Sequence, residues 1–239
     1  MPRFFLENIN TDLPVITGED AKHIGRSLRM KPGEEITVCS CGTDYFCEIT
    51  SITSDEVFLK ILDQKLCSAE PTVEVTLFQA VPKLDKLEHI IQKSVELGVT
   101  RIVPVLTRRC VSRPDKKDFE KKRVRLNKIA LEAAKQSGRG IIPEVMEIVS
   151  FNEAVKQMSE LDCPLMLYEE GGIRFSEVET DNKKSFALFV GSEGGFDESE
   201  AETAKNSGIT PIWLGERILR CETAPLTALS ILMFITKNL

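Results

Sequence analysis

Histidine is nearly absent: the 239 residues hold two, His23 and His89. That scarcity argues against a Ser-His-Asp or Cys-His mechanism. Both histidines fall in or near helical segments away from the motifs below, and they read as structural. The seven cysteines are odd in number and none forms a C-x-x-C pair. With so little histidine, a metal site is not indicated, and reduced, buried thiols are the expectation. No apolar run reaches the ~18 residues of a membrane span. The opening "MPRFFLENIN" lacks the apolar core of a secretory signal. These absences point to a cytoplasmic protein with neither a membrane nor a metal partner. Phosphate-binding fingerprints are missing too: no glycine loop here reads G-x-G-x-x-G.

What is present is an ordinary globular composition, 42% hydrophobic and 28% charged. The net charge of −6 disfavours a nucleic-acid partner by itself. The distribution is uneven, however. Residues 101–128 hold eleven Lys/Arg against three acids. Such a run is either a solvated helix face or a track for an RNA backbone, and both readings stand at this point.

Two segments with different patterning follow one another. Residues 1–68 read as short strands with one helix, "EDAKHIGRSLRM", carrying Ile24 and Leu28 at helical spacing. "EITVCS" and "DYFCEITSI" flank "CGT" as a hairpin and "EVFLKIL" is a third strand, together a small β-barrel. A linker ends near Pro71. From residue 72 to 239 strands alternate with helices, which predicts a mainly parallel α/β sheet covered on both faces. The helix in "KLDKLEHIIQKSVELG" places Leu84, Leu87, Ile91 and Val95 on one face and stops at Gly98. A long basic helix is expected from about Asp118 to Ser137. The last helix, "APLTALSILMFITKN", is apolar nearly all round, so it belongs in the domain interior or a subunit interface.

Open α/β sheets bind ligands beyond the carboxyl ends of their strands. Two such ends carry motifs. "FALFVGSEGGF" ends an apolar strand in Gly191, Ser192, Glu193, Gly194 and Gly195. Glycine loops usually hold phosphates with backbone N–H groups, but Glu193 would repel one. A cationic ligand suits the loop better, and S-adenosylmethionine, with its sulfonium charge and amino-acid tail, fits. A plain strand-to-helix turn is the competing reading. The second motif, "LGERILRCETA", places Arg217, Arg220 and Glu222 immediately before a buried helix. Charges there are costly without partners. A ligand site explains them more economically than a structural ion pair, although that also occurs.

With these residues in view, the chain resembles the RsmE family of bacterial 16S ribosomal RNA methyltransferases. The family's G-P-E-G-G loop is matched by "GSEGG", residues 191–195, and its L-G-x-R-I-L-R-x-E-T-A by residues 214–224. "IIQKSVELGV" and "EAAKQSGR" match further family segments. "RFF" and "HIGRSLRMKPGE" match its N-terminal RNA-binding barrel, which is similar to PUA domains. One departure is Ser192, where proline is usual; its free φ is expected to loosen the loop.

The resemblance implies a PUA-like barrel over 1–68 and a SPOUT-type α/β domain with a deep trefoil knot over 72–239. It implies transfer of a methyl group from S-adenosylmethionine to N3 of a uridine in 16S ribosomal RNA, by a homodimer. The implied cofactor residues are Gly191, Ser192, Glu193, Gly194, Leu214, Gly215, Ile218, Leu219, Arg220, Thr223 and Ala224. Arg220 is the expected stabiliser of charge on the uracil, with Arg139 second, and Glu222 or water takes the proton. Arg3, Arg26, Arg29, Lys83 and Arg139 are the expected RNA phosphate contacts. The alternative is an RNA-binding ribosome-assembly module without catalysis; the intact "LGERILRCETA" argues against it. A nucleotide-binding enzyme of another kind is disfavoured by the missing phosphate loop.

Overall fold

A computed structural model describes all 239 residues, and the chain divides into two compact units. The first is Met1–Glu70 with Ala134–Ile142, and the second Pro71–Ala133 with Pro143–Leu239. The segment 134–142 joins the first unit for a local reason. Gly140 donates its N–H to Glu70 Oε1 at 2.7 Å and accepts from the Gly42 N–H at 3.2 Å.

In the first unit the chain forms β1 (Arg3–Phe5), β2 (Val15–Thr17), α1 (Gly18–Lys22), β3 (Glu35–Ser40), β4 (Thr43–Ile52) and β5 (Glu56–Leu66). The strands make one sheet in the order β1-β3-β4-β5-β2. Register shifts between Phe46 and Cys47 and between Ile49 and Ser51 mark bulges in the β4–β5 ladder, which bend the sheet. In this expected barrel the two outer strands, β1 and β2, do not pair with each other. Phe4, Ile16, Ile24, Ile36, Val38, Ile49 and Val57 fill its interior. A wide turn at His23–Ser27 follows α1, closed by Leu28 N–H to His23 carbonyl at 2.9 Å. Widening the turn carries Leu28 off the face of Ile24: Ile24 is buried, while Leu28 is exposed.

Two arginines expected to meet phosphate are turned inward here. The Arg3 guanidinium grips Asp44 with two bonds of 2.6 and 2.9 Å. Arg139 is 2% exposed and grips Glu70 through 2.9 and 2.8 Å bonds. Burial opposes ionisation of both carboxyls, yet their arginine partners hold Asp44 and Glu70 below the usual carboxylate range. A buried bidentate pair fixes structure rather than offering its charge outward. Both guanidinia are thus engaged by carboxylates of the protein, which argues against Arg3 and Arg139 as phosphate contacts and against Arg139 as a second catalytic cation. Arg26 and Arg29 remain exposed.

The second unit contains β6 (Glu74–Ala80), α2 (Lys86–Glu96), β7 (Arg101–Leu106), α3 (Lys116–Ser137) as far as Ala133, β8 (Glu144–Val145), β9 (Val149–Ser150), α4 (Phe151–Met158), β10 (Cys163–Leu167), β11 (Ser185–Val190), α5 (Glu198–Asn206), β12 (Thr210–Ile212) and α6 (Ala224–Ile235). Six strands lie in the order β12-β10-β11-β6-β7-β8, and β9 also pairs with β7. Every pairing is parallel. Parallel sheets are covered on both faces, so their strands read as continuous apolar runs; Phe186 to Val190 of β11 are all buried. On one face α6 packs on α2 and β11. On the other, α4 and α5 enclose Phe78, Phe151, Phe189 and Phe196 with the sheet.

The chain leaves β6 outward through β7 to β8, then returns to β10, and β11 inserts between β10 and β6. That insertion brings the carboxyl ends of β6, β10, β11 and β12 side by side, at a switch in strand order. The order is consistent with the implied knot. Leu84 departs from the expected helix face. It has φ of +58° and is 82% exposed, and α2 starts only at Lys86. Leu87, Ile91 and Val95 are buried as the pattern requires.

Candidate active site

A cleft of about 720 Å³ opens at the carboxyl ends of β10, β11 and β12, a volume suited to a small organic ligand. Three chain segments build it. The first is the glycine loop after β11, the second the ribbon from Trp213 to Cys221 after β12, and the third Tyr168 and Glu169 after β10. Of the expected cofactor residues, Gly191, Ser192, Glu193, Gly194, Leu214, Gly215, Ile218, Leu219, Arg220 and Ala224 line it. Thr223 does not; it stands in the turn before α6, its N–H bonded to the Arg220 carbonyl at 2.8 Å. Sequence reasoning missed Lys86, Tyr168, Glu169, Gly195 and Trp213 as lining residues.

The glycine loop doubles back tightly. Gly195 N–H donates to the Ser192 carbonyl at 3.0 Å, with Gly195 at φ +65°. A Cβ on Gly191 would lie 2.9 Å from the Gly195 backbone, and one on Gly195 would strike the Glu169 carboxylate. These are the positions where the turn demands glycine. Beneath the loop, the buried Gln79 amide donates to the Gly191 carbonyl at 3.3 Å. Ser192, where proline is usual, is held in the turn by its own side chain. Its side chain is buried and donates to the Arg109 carbonyl at 3.2 Å, and Arg109 returns a 2.9 Å bond to the Gly194 carbonyl. A tether replaces the ring constraint of proline.

Gly191→Ala is accordingly expected to weaken S-adenosylmethionine binding by at least about tenfold, because a backbone atom rather than a flexible side chain must move. Calorimetric titration checks it; unchanged affinity would show that the loop is not a cofactor wall.

Lys86 is the site's main surprise. Its Nζ lies 3.0 Å from Glu222 Oε2 and 3.4 Å from Glu193 Oε1, so one ammonium ties both motifs together. Glu193 also accepts the Lys83 backbone N–H at 3.0 Å. Lys83 thus meets the loop through its main chain, while its side chain is exposed. Part of the Glu193 charge is spent on protein partners, not left whole for a ligand. Bonding to Glu222 raises the Lys86 ammonium above the ordinary lysine value. Burial works against ionisation of Glu193 and Glu222, yet Lys86 and backbone N–H donors keep both below the ordinary carboxylate range. At neutral pH the trio is one cation between two anions, net −1. Burial, with Glu222 alongside, pushes the Cys221 thiol up to about 12, so it stays a neutral thiol and not a nucleophile.

Arg220 is exposed at the cleft wall, and Glu222, its possible ion-pair partner, is taken by Lys86. Its guanidinium is therefore available to a bound base. The walls contributed by Leu167, Val190, Ile212, Leu214 and Leu219 are apolar and suit a planar ring; the lining acids Glu169, Glu193 and Glu216 suit a cationic group. This donor set fits S-adenosylmethionine: apolar walls for adenine, glycine backbone at close approach, and the Glu169 and Glu193 carboxylates for its cationic groups. His23 and His89 are both exposed, away from the cleft.

Comparison with known proteins agrees with this chemistry. A family model for the RNA methyltransferase domain matches residues 69–233, and one for the RNA methyltransferase PUA domain matches residues 16–62. The whole chain is 36% identical to the ribosomal RNA small subunit methyltransferase E of Bacillus subtilis (strain 168), over 98% of that protein. The protein of that name from Mesomycoplasma hyopneumoniae (strain 232) is 30% identical over 96% of this chain and 98% of its own. Among solved structures, a ribosomal RNA small subunit methyltransferase E from Neisseria gonorrhoeae bound to S-adenosyl methionine aligns with a TM-score of 0.89. It is 30% identical, with 98% of each chain covered.

Proposed function

The chain belongs to the ribosomal RNA small subunit methyltransferase E family, and from that membership we propose that it methylates N3 of a uridine in 16S ribosomal RNA in the cleft just described. The observation that carries the reading is the meeting of two distant motifs at Lys86: Glu193 of "GSEGG" and Glu222 of "LGERILRCETA" share its ammonium, and both motifs wall one cleft. When bound, S-adenosylmethionine supplies an electrophilic methyl group on a sulfonium.

The protein's share is positioning and electrostatics. N3 of uracil pairs in a duplex, so the target base must be unpaired or flipped out to enter the cleft. As the N3–methyl bond formed, the methyl–sulfur bond would break to leave a neutral thioether and the N3 proton would depart, with negative charge passing onto O2 and O4 on the way. Arg220 stabilises that charge. Glu222 stays ionised but, held low by Lys86, is a weak base; the N3 proton passes to water beside it. An assembly module without catalysis has no need of a free guanidinium on the wall of a cofactor-sized cleft, and this favours the enzyme.

The direct test is methyl transfer in vitro. Purified protein, labelled cofactor and small-subunit ribosomal RNA should give labelled 3-methyluridine. Cofactor binding without transfer to any ribosomal RNA or subunit would favour the assembly module.

The same reading includes a homodimer. Ala228, Leu229, Leu232 and Met233 of α6 are buried, while Phe234 is 69% exposed and Leu226 and Ile231 are only half-buried. That second apolar face suits a symmetric partner. Light scattering at micromolar concentration should give twice the mass of the 26.8 kDa chain; a monomer would remove the subunit interface from the account.

A further inference from the structure

Charge is segregated along this acidic chain. Residues 101–128, with eleven Lys/Arg and three acids, are net +8; the other 211 residues, with twenty Lys/Arg and thirty-four acids, are net −14. The helix α3 organises much of the positive segment. At 100° per residue, Lys117, Lys121 and Lys128 fall within about 40° of one another. Phe119, Leu126 and Ala130, all buried, lie on the opposite side. The three lysines are exposed. Neighbouring arginines are already paired: Arg123 with Glu120 and Glu144, and Arg125 with Glu88. In the stripe, Lys117 and Lys128 have no carboxylate within ion-pair distance, and Lys121 has only a 3.4 Å contact to the exposed Asp118. Val124, also exposed, lies beside the lysines on the same side. Glu132 ends the stripe.

The stripe is continuous with the cleft along the chain. The loop between β7 and α3 starts beside the glycine loop, where Arg109 binds the Gly194 carbonyl and takes the Ser192 hydroxyl bond. Arg108 nearby pairs with Asp197 at 3.1 Å. From there the chain enters α3, and Lys117 to Lys128 spans about 16 Å at 1.5 Å per residue. A solvated helix face would mix its charges more evenly. A row of lysines, on the helix that the chain enters from the glycine loop, has the charge and length to follow a polyanion.

We propose that Lys117, Lys121 and Lys128 form a docking track for the phosphate backbone of the substrate RNA next to the target nucleotide. The track is separate from the PUA domain. It reads no bases: it supplies position and orientation, and the cleft supplies selectivity. This rests on the RNA-methyltransferase reading above.

The experiment measures binding of deproteinised 16S ribosomal RNA across a salt series. The proteins compared are the wild type, the triple variant K117A/K121A/K128A and the control K156A/K183A/K184A. Each phosphate contact to a single strand contributes about 0.7 to the slope of log affinity against log salt. The triple variant should lose about two units of slope and show a raised RNA KM. Its kcat and S-adenosylmethionine affinity should stay near wild type, and the control should keep the wild-type slope. A triple variant with the wild-type slope and KM overturns the track alone, including the case in which the stripe meets an acidic protein instead. Equal losses in the control would overturn it too, by showing only a general charge effect. A wild type that binds no ribosomal RNA and methylates none overturns both this inference and the reading beneath it.

Discussion

Arg220→Ala should lower kcat about a hundredfold and leave cofactor affinity and melting temperature nearly unchanged. The Arg220 backbone carbonyl accepts the Thr223 and Ala224 N–H groups at 2.8 and 2.9 Å, closing the turn before α6. Alanine keeps both bonds. What alanine removes is a guanidinium on the cleft wall. An ion pair with Glu222 would have made Arg220 a structural residue, but Glu222 pairs with Lys86 at 3.0 Å. A donor whose partner exists only as charge builds on the uracil acts on the transition state, so its loss appears in kcat. Removing one preorganised donor of that kind costs on the order of 3 kcal/mol. Arg220→Lys should recover only part of the rate, because an ammonium cannot reproduce the planar fork. Steady-state kinetics, calorimetry and thermal melting on the two variants check this. Wild-type kcat in Arg220→Ala would remove the residue from the mechanism, and a joint fall in melting temperature and affinity would make it structural.

Lys86→Ala should have the opposite signature. Without the ammonium, Glu193 and Glu222 keep their charges but lose the cation that joins them. The glycine loop then loses one of its ties to the start of α2, and two like charges that shared one cation are left without it. Cofactor affinity should fall about tenfold or more, together with the melting temperature. Lys86→Arg should restore much of the affinity because the charge survives. The trio also fixes a pH signature. Glu193 and Glu222 take up protons only below the ordinary carboxylate range, and Lys86 loses its proton only above the ordinary lysine value. The stabilisation is thus present across the neutral range; it fades as pH falls through the two depressed carboxyls or rises past the raised ammonium. Cofactor affinity measured between about pH 6 and 9 should stay flat in the wild type. A Lys86→Ala protein with wild-type affinity would separate the two acids from cofactor binding.

Both cleft motifs were legible in the sequence because each is local. Strand, glycine turn and acid lie within eleven residues of "FALFVGSEGGF", and "LGERILRCETA" is as compact. Lys86 was not legible. It stands 107 residues from Glu193 and looks like any lysine in the first turn of an amphipathic helix; only the insertion of β11 beside β6 brings them together. The same distance hid the fate of two arginines. Asp44 is 41 residues from Arg3, and Glu70 is 69 from Arg139, so nothing local showed that these guanidinia were already engaged. Leu84 failed for a different reason. Periodicity placed it on the buried face of α2, but at φ +58° it precedes the helix and breaks the register. Ser192 shows the limit of residue-by-residue comparison. The loss of proline predicted a looser loop, whereas a side-chain bond to the Arg109 carbonyl supplies the restraint by another route.

The most direct measurement of the central claim is mass spectrometry of small-subunit ribosomal RNA nucleosides from a strain lacking the gene. The strain is compared with itself after restoring either the wild-type gene or Arg220→Ala. The account predicts that 3-methyluridine disappears on deletion, returns fully with the wild type, and returns slowly or not at all with the variant. Undiminished 3-methyluridine in the deletion strain, or full restoration by Arg220→Ala, would contradict it.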